Sequence, residues 1–208
     1  MSRYGLGVNT FYKRGFMKKG FTIIEVSILF VIFLIVAFLV APLSLDDTMQ
    51  AKHTSRWKNV QGDFTNIFYS INTQKENTNH SFRDAFEAII TGETKDSIKP
   101  YKITFKNGAY PNATYRFKDF YTTYSKAVMS VKMFESNDNG VEGILLYDVN
   151  GTTGPNSWGK DVFGLNIYND RFEPFCKNES LSYQKQDCSR NGTGLCCSNY
   201  YLIGGNFD

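Results

Sequence analysis

The chain has 208 residues, with 23 basic and 20 acidic side chains for a net charge of +3; 16% of it is aromatic, 18 Phe and 13 Tyr. That length allows one membrane segment and one further domain of about 130 to 160 residues, enough to bury a core of its own. The mean hydropathy is −0.33 despite a long apolar run, so the remainder is polar; beyond residue 20, 18 basic residues stand against 20 acidic ones, which leaves no basic excess to suggest nucleic-acid binding by charge alone.

Residues 1–20 hold Arg3, Lys13, Arg14, Lys18 and Lys19 and no acid. Gly5, Gly7 and Gly15 break any helix there, and no apolar run precedes Lys18. A long basic leader and a true start at Met17 both fit. From Phe21 to Leu45 the only formal charge is Glu25. A helix of that length spans roughly 37 Å and would cross a hydrocarbon core of about 30 Å. Glu25 is the anomaly, because an unpaired carboxylate in such a segment costs at least ~2.5 kcal/mol. A secretory signal peptide would have a shorter apolar core and its cut after it; an uncleaved membrane anchor is the other alternative. Pro42 removes a helix hydrogen bond, so it kinks or ends the helix.

The run Lys18-Lys19-Gly20-Phe21-Thr22-Ile23-Ile24-Glu25 resembles the class III signal of type IV pilins and type II secretion pseudopilins. The resemblance covers residues 18–45. It implies cleavage between Gly20 and Phe21 by a prepilin peptidase, N-methylation of Phe21, an assembly role for Glu25 and a kink at Pro42. It also implies a leader over 1–20, a transmembrane and assembly helix over 21–45 and a pilin-like head over 46–208. The expected location is the bacterial inner membrane, single-pass with a periplasmic head, and then a pilus or pseudopilus. The expected partners are the peptidase, other pilin or pseudopilin subunits and the inner membrane, with no nucleic acid.

Beyond the apolar run, Trp57, Val60, Phe64, Ile67, Phe68 and Ile71 follow steps of three and four, which predicts one apolar helical stripe packed on a sheet. Phe82, Phe86, Ile89 and Ile90 predict a short amphipathic helix, and 95–100 a loop. Strands are expected over 101–106, with a turn at Asn107-Gly108, and over 114–121, 127–134, 143–147 and 161–168. The turn at 137–140 separates two of them. The fold class is therefore α+β: a long N-terminal helix, transmembrane then amphipathic, on a small antiparallel sheet, closed by a C-terminal loop.

Four cysteines, Cys176, Cys188, Cys196 and Cys197, bound that loop. A periplasmic head favours disulfides. Three connectivities are open, though the vicinal pair is expected to reach back to Cys176 and Cys188, not to itself. A zinc site would want a nearby His or a C-x-x-C pair, and neither is present. The stretch 148–161 has two readings. One is a Gly/Pro/Asn-rich surface turn. The other is a partial calcium loop using Asp148, Asn150, Asn156 and Asp161, since Ca²⁺ takes six to eight oxygens; pseudopilins of the major type have a calcium-stabilised loop at a similar place. His53 and His80 read as surface residues, and no nucleophile elbow, P-loop or H-E-x-x-H motif is present. The expectation is a structural subunit, not an enzyme. A filament-tip binding module for adhesion or DNA uptake is the alternative, and a membrane-anchored enzyme the third.

Overall fold

The computed structural model describes residues 22–77, 94–134 and 140–206. Two compact units divide the chain, Met1–Ser44 and Leu45–Asp208. Helix α1 spans Ile23–Asn77. Its start is fixed by a capping box: Glu25 N donates to Thr22 Oγ1 at 3.2 Å, and Glu25 Oε2 accepts from Thr22 N at 2.8 Å. Every residue from Ile23 to Leu39 is solvent-exposed.

In the second unit, six strands form one antiparallel sheet in chain order. They are β1 (Thr94–Ile98), β2 (Phe120–Thr123), β3 (Val128–Met133), β4 (Val141–Asp148), β5 (Val162–Tyr168) and β6 (Phe172–Pro174). Two short helices follow, α2 (Leu181–Asp187) and α3 (Cys197–Tyr200). Ser180 caps α2 by accepting from Tyr183 N.

Side chains alternate between the two faces of the central strands. Met129, Leu145, Tyr147, Phe163, Leu165 and Ile167 lie in one cluster with Trp57 and Phe64 of α1. Trp57 stacks on Phe163 at 5.1 Å, and Phe64 meets Tyr147 edge-on at 5.9 Å. The opposite face, with Val128, Ile144, Leu146 and Val162, is covered by a strap over residues 99–119. Tyr101, Ile103, Phe105, Tyr115 and Phe117 of the strap pack inward there, beside Trp158 and Phe175. Gly164 makes room for that packing, because a Cβ would lie 2.7 Å from Phe175 Cζ.

Several expectations are corrected. Among the described residues no helix is long and apolar enough to cross a membrane. This overturns the transmembrane helix and, with it, the single-pass inner-membrane placement with a periplasmic head. The α+β plan of a long apolar helix on a small sheet is likewise overturned: the sheet has six strands, and the C-terminal region forms two short helices in place of a loop. The segments 101–106 and 114–119 are not strands of the sheet; Thr104 makes only an isolated bridge to Ser157. Residues 94–98, expected in or beside a loop, pair with β2 instead. The helix expected near 82–90 lies outside the described residues, as does most of the 137–140 turn.

Candidate metal centre

β4 ends on Asp148, which pairs in register with Val162 at the start of β5. The loop between them therefore begins and ends on two aspartates at its base, Asp148 and Asp161, both fully buried. Asp161 folds the loop back on itself. Its Oδ2 accepts from Asn156 N at 2.8 Å and its Oδ1 from Ser157 N at 2.7 Å. Asn156 and Gly159 adopt positive φ, and the Gly154–Pro155 bond is cis. Asp148 accepts from Tyr101 Oη at 2.8 Å, so the strap reaches the same centre, and from Asn150 N at 3.3 Å.

Helix α1 grips the loop from the other face. Gln50 Nε2 donates to the carbonyls of Gly159 and Lys160, and Arg56 donates to that of Val149. His53 is buried, at 5% exposure, which corrects its reading as a surface residue. It lies one turn before Trp57 on the same face of α1, where the loop covers it.

Two carboxyls taken out of water side by side resist ionising. Burial, then the neighbouring Asp161, pushes Asp148 up to about 8, against the pull of Tyr101 and two backbone donors. Burial also raises Asp161, offset by the backbone donors of Ser157 and Asn156 and by His53. Burial pushes His53 below its ordinary value, while Asp161 draws it back up. Tyr101 is held protonated by burial and by Asp148.

The residues fit a hard cation in donor chemistry. Asn150 Oδ1 and Asn156 Oδ1 are buried and accept no hydrogen bond among the described residues, and buried oxygens without partners are uncommon. Their amide nitrogens donate to Gly154 O and Thr152 O, which turns both side chains across the loop. Two carboxyls and two free amide oxygens make an oxygen-only set of the kind calcium takes. No group of three or more His, Cys, Asp or Glu is gathered anywhere among the described residues, so the amides are essential to any such site.

The remaining expected sites are dispersed. Gly20 and Phe21 lie outside the described residues. Glu25 sits in the first turn of α1, where hydrogen bonds from the Thr22 backbone and hydroxyl hold its carboxyl below the ordinary value. Pro42 falls within the span of α1, which continues past it. The cysteines form two disulfides, Cys176–Cys196 and Cys188–Cys197, so the vicinal pair staples two different segments. Asp187 organises this region by accepting from Thr193 N and Cys196 N at 2.9 Å each. Nothing in the spacing of Asp187 in the sequence announces that role; the oxygen orphans of Asn150 and Asn156 were legible only as residue types.

No family model matches the chain, and no curated protein and no solved structure match it.

Proposed function

We propose that the chain is a structural subunit of a filament of the type IV pilus or type II secretion pseudopilus kind, cut by a prepilin peptidase between Gly20 and Phe21, methylated at Phe21, and assembled through the start of α1. The observation that carries this reading is the exposed apolar surface of α1. From Ile23 to Leu39 the helix is apolar on every side except for Glu25 and Ser27, and all of it is exposed. Monomeric proteins rarely leave more than a few hundred Å² of contiguous apolar surface in water. A helix hydrophobic all round belongs in a packed interior, and a bundle of the same helix from neighbouring copies provides one.

Glu25 sets the register of that bundle. Both of its hydrogen bonds from Thr22 use Oε2, and Oε1 accepts none among the described residues. Cutting after Gly20 creates an α-amine on Phe21, and that amine on a neighbouring copy would meet Oε1. A subunit displaced along the axis would leave both charges buried and unpaired, which costs several kcal/mol per ion.

Gln at position 25 keeps an oxygen for the capping box but carries no charge. Glu25→Gln should be processed normally and enter filaments as poorly as Glu25→Ala. Incorporation at the wild-type level, measured by the subunit's share of sheared filaments, would refute the register role.

We also propose that the 148–161 loop takes calcium through Asp148, Asn150, Asn156 and Asp161. The two orphan amide oxygens support this, as does the relief a divalent cation offers to two adjacent buried carboxyls. The bound ion would supply charge neutralisation and loop rigidity, and the head would keep its filament surface.

A further inference from the structure

The charge balance of the whole chain hides a segregation. Residues 94–134 hold eight Lys and Arg against two Asp, whereas residues 140–206 hold five against seven acids. Five of the eight, Lys99, Lys102, Lys106, Arg116 and Lys118, lie on the strap with one acid, Asp119, on the side of the sheet away from the Trp57–Phe68 stripe of α1. Its two legs alternate. Tyr101 and Ile103 pack inward around an exposed Lys102, and Tyr115 and Phe117 pack inward around exposed Arg116 and Lys118.

The turn joining the legs gathers cations. Lys102 Nζ lies 4.6 Å from the centroid of the Tyr110 ring. Arg116 Nε donates to Pro111 O at 2.8 Å. Lys132 Nζ reaches across from β3 to Ala113 O at 2.7 Å and Thr114 O at 3.2 Å. Tyr110 itself is 63% exposed. Among the described residues the ion pairs join Arg171 and Lys177 to Asp170 and Glu173; none of them involves Lys102, Arg116 or Lys118.

We infer that the outer surface of the strap binds a single nucleic-acid strand, with Lys102, Arg116 and Lys118 on its phosphates and Tyr110 as a platform for a base. Lys102, Arg116 and Lys118, which form no ion pair among the described residues, supply the sequence-independent attraction, by releasing counterions from the phosphates. The exposed ring among them selects the ligand class. A nucleic-acid strand alternates anionic phosphates with flat bases that stack on aromatic side chains, whereas a sulfated glycan or an acidic protein face offers charge without a base. The strap is held to the sheet by its inward aromatics and by the Lys132 and Arg116 bonds to its carbonyls, so the surface is built before the ligand arrives. This inference stands independently of the filament reading.

The test is fluorescence anisotropy of the full chain with a labelled single-stranded 20-nucleotide DNA between 0.05 and 0.3 M NaCl. The variant Lys102→Gln/Lys118→Gln leaves the carbonyl clasps in place. It should flatten the slope of log affinity against log salt by about 1.4, or about 0.7 for each phosphate left without its lysine. Tyr110→Leu should weaken binding by between about fivefold and a hundredfold with an unchanged slope. Lys185→Gln, on the acidic side of the sequence, should change neither. No binding at the lowest salt, an unchanged slope in the double variant, or an equal loss in Lys185→Gln would overturn the inference. So would tighter binding of a heparin fragment that is indifferent to Tyr110→Leu, or a salt-sensitive self-association that accounts for the same lysines.

Discussion

Replacing Asp148 by Asn tests whether the buried acid pair governs the stability of the head. The folded state raises Asp148 from an ordinary 3.8 to about 8, so it binds this proton more tightly than the unfolded chain does. The resulting stability is complete below the unfolded value and is lost as pH rises through about 8. Asp161 is raised as well and acts in the same direction. His53 is lowered, so its contribution has the opposite sign, and it acts below about pH 6.5. The window from pH 6.5 to 8 therefore isolates the carboxyls. One proton released per unfolding event amounts to about 1.4 kcal/mol per pH unit, hence a loss of about 2 kcal/mol across the window. For a unit of this size that lowers Tm by about 4–8 °C. The assay is urea unfolding in EGTA, followed by tryptophan fluorescence, since Trp57 and Trp158 are both fully buried. Asn mimics the protonated acid, so Asp148→Asn should lose the Asp148 share of the slope over the window and be more stable than the parent at pH 8. Stability that stays level or rises with pH in the parent, or a variant with the parent's slope, would refute the reasoning. Saturating calcium in place of EGTA should restore the parent at pH 8, and it should do nothing for Asp148→Asn.

Two further outcomes follow from the packing. Trp57→Ala removes the stack on Phe163 and the 2.8 Å bond to Ser198 O; it should cost about 3–5 kcal/mol in the same urea assay, whereas Trp57→Phe should recover most of the packing and lose only about 1–3 kcal/mol for the orphaned carbonyl. Peptide mapping without reduction should recover Cys176 linked to Cys196 and Cys188 linked to Cys197. Loop closure predicts that removing the first pair, separated by 20 residues, costs about 3.3 kcal/mol, and removing the second, separated by 9, about 2.6 kcal/mol.

The parts of the fold that the sequence announces are those where one local period coincides with one buried face. Trp57 and Phe64 follow the helical step and are buried as that step requires. The cores of β3, β4 and β5 alternate between two covered faces. The strap misleads because an extended segment lying across a sheet shows the same alternation as a strand within it. Tyr101-Lys102-Ile103 points aromatic and aliphatic groups inward and a lysine outward without a ladder partner. β1 reads as loop because Thr-Lys-Asp-Ser-Ile is an exposed edge whose pairing comes from β2, a distant segment no local pattern reveals. His53 reads as a surface residue by its type alone, although it stands one turn before Trp57 on the buried stripe; the loop that covers it lies about a hundred residues downstream. The acid pair was visible as residue types, but the burial that makes Asp148 reluctant to ionise came only with the register that sets it beside Val162. The strap's charge was hidden by a net value near zero.

The central claim is that residues 1–20 are removed and the chain then assembles through a new N-terminus at Phe21. Mass spectrometry of the N-terminal peptide, from protein made in a host with an active prepilin peptidase, tests it most directly. The account predicts a peptide beginning at N-methylated Phe21. A chain beginning at Met1 or Met17 would contradict it.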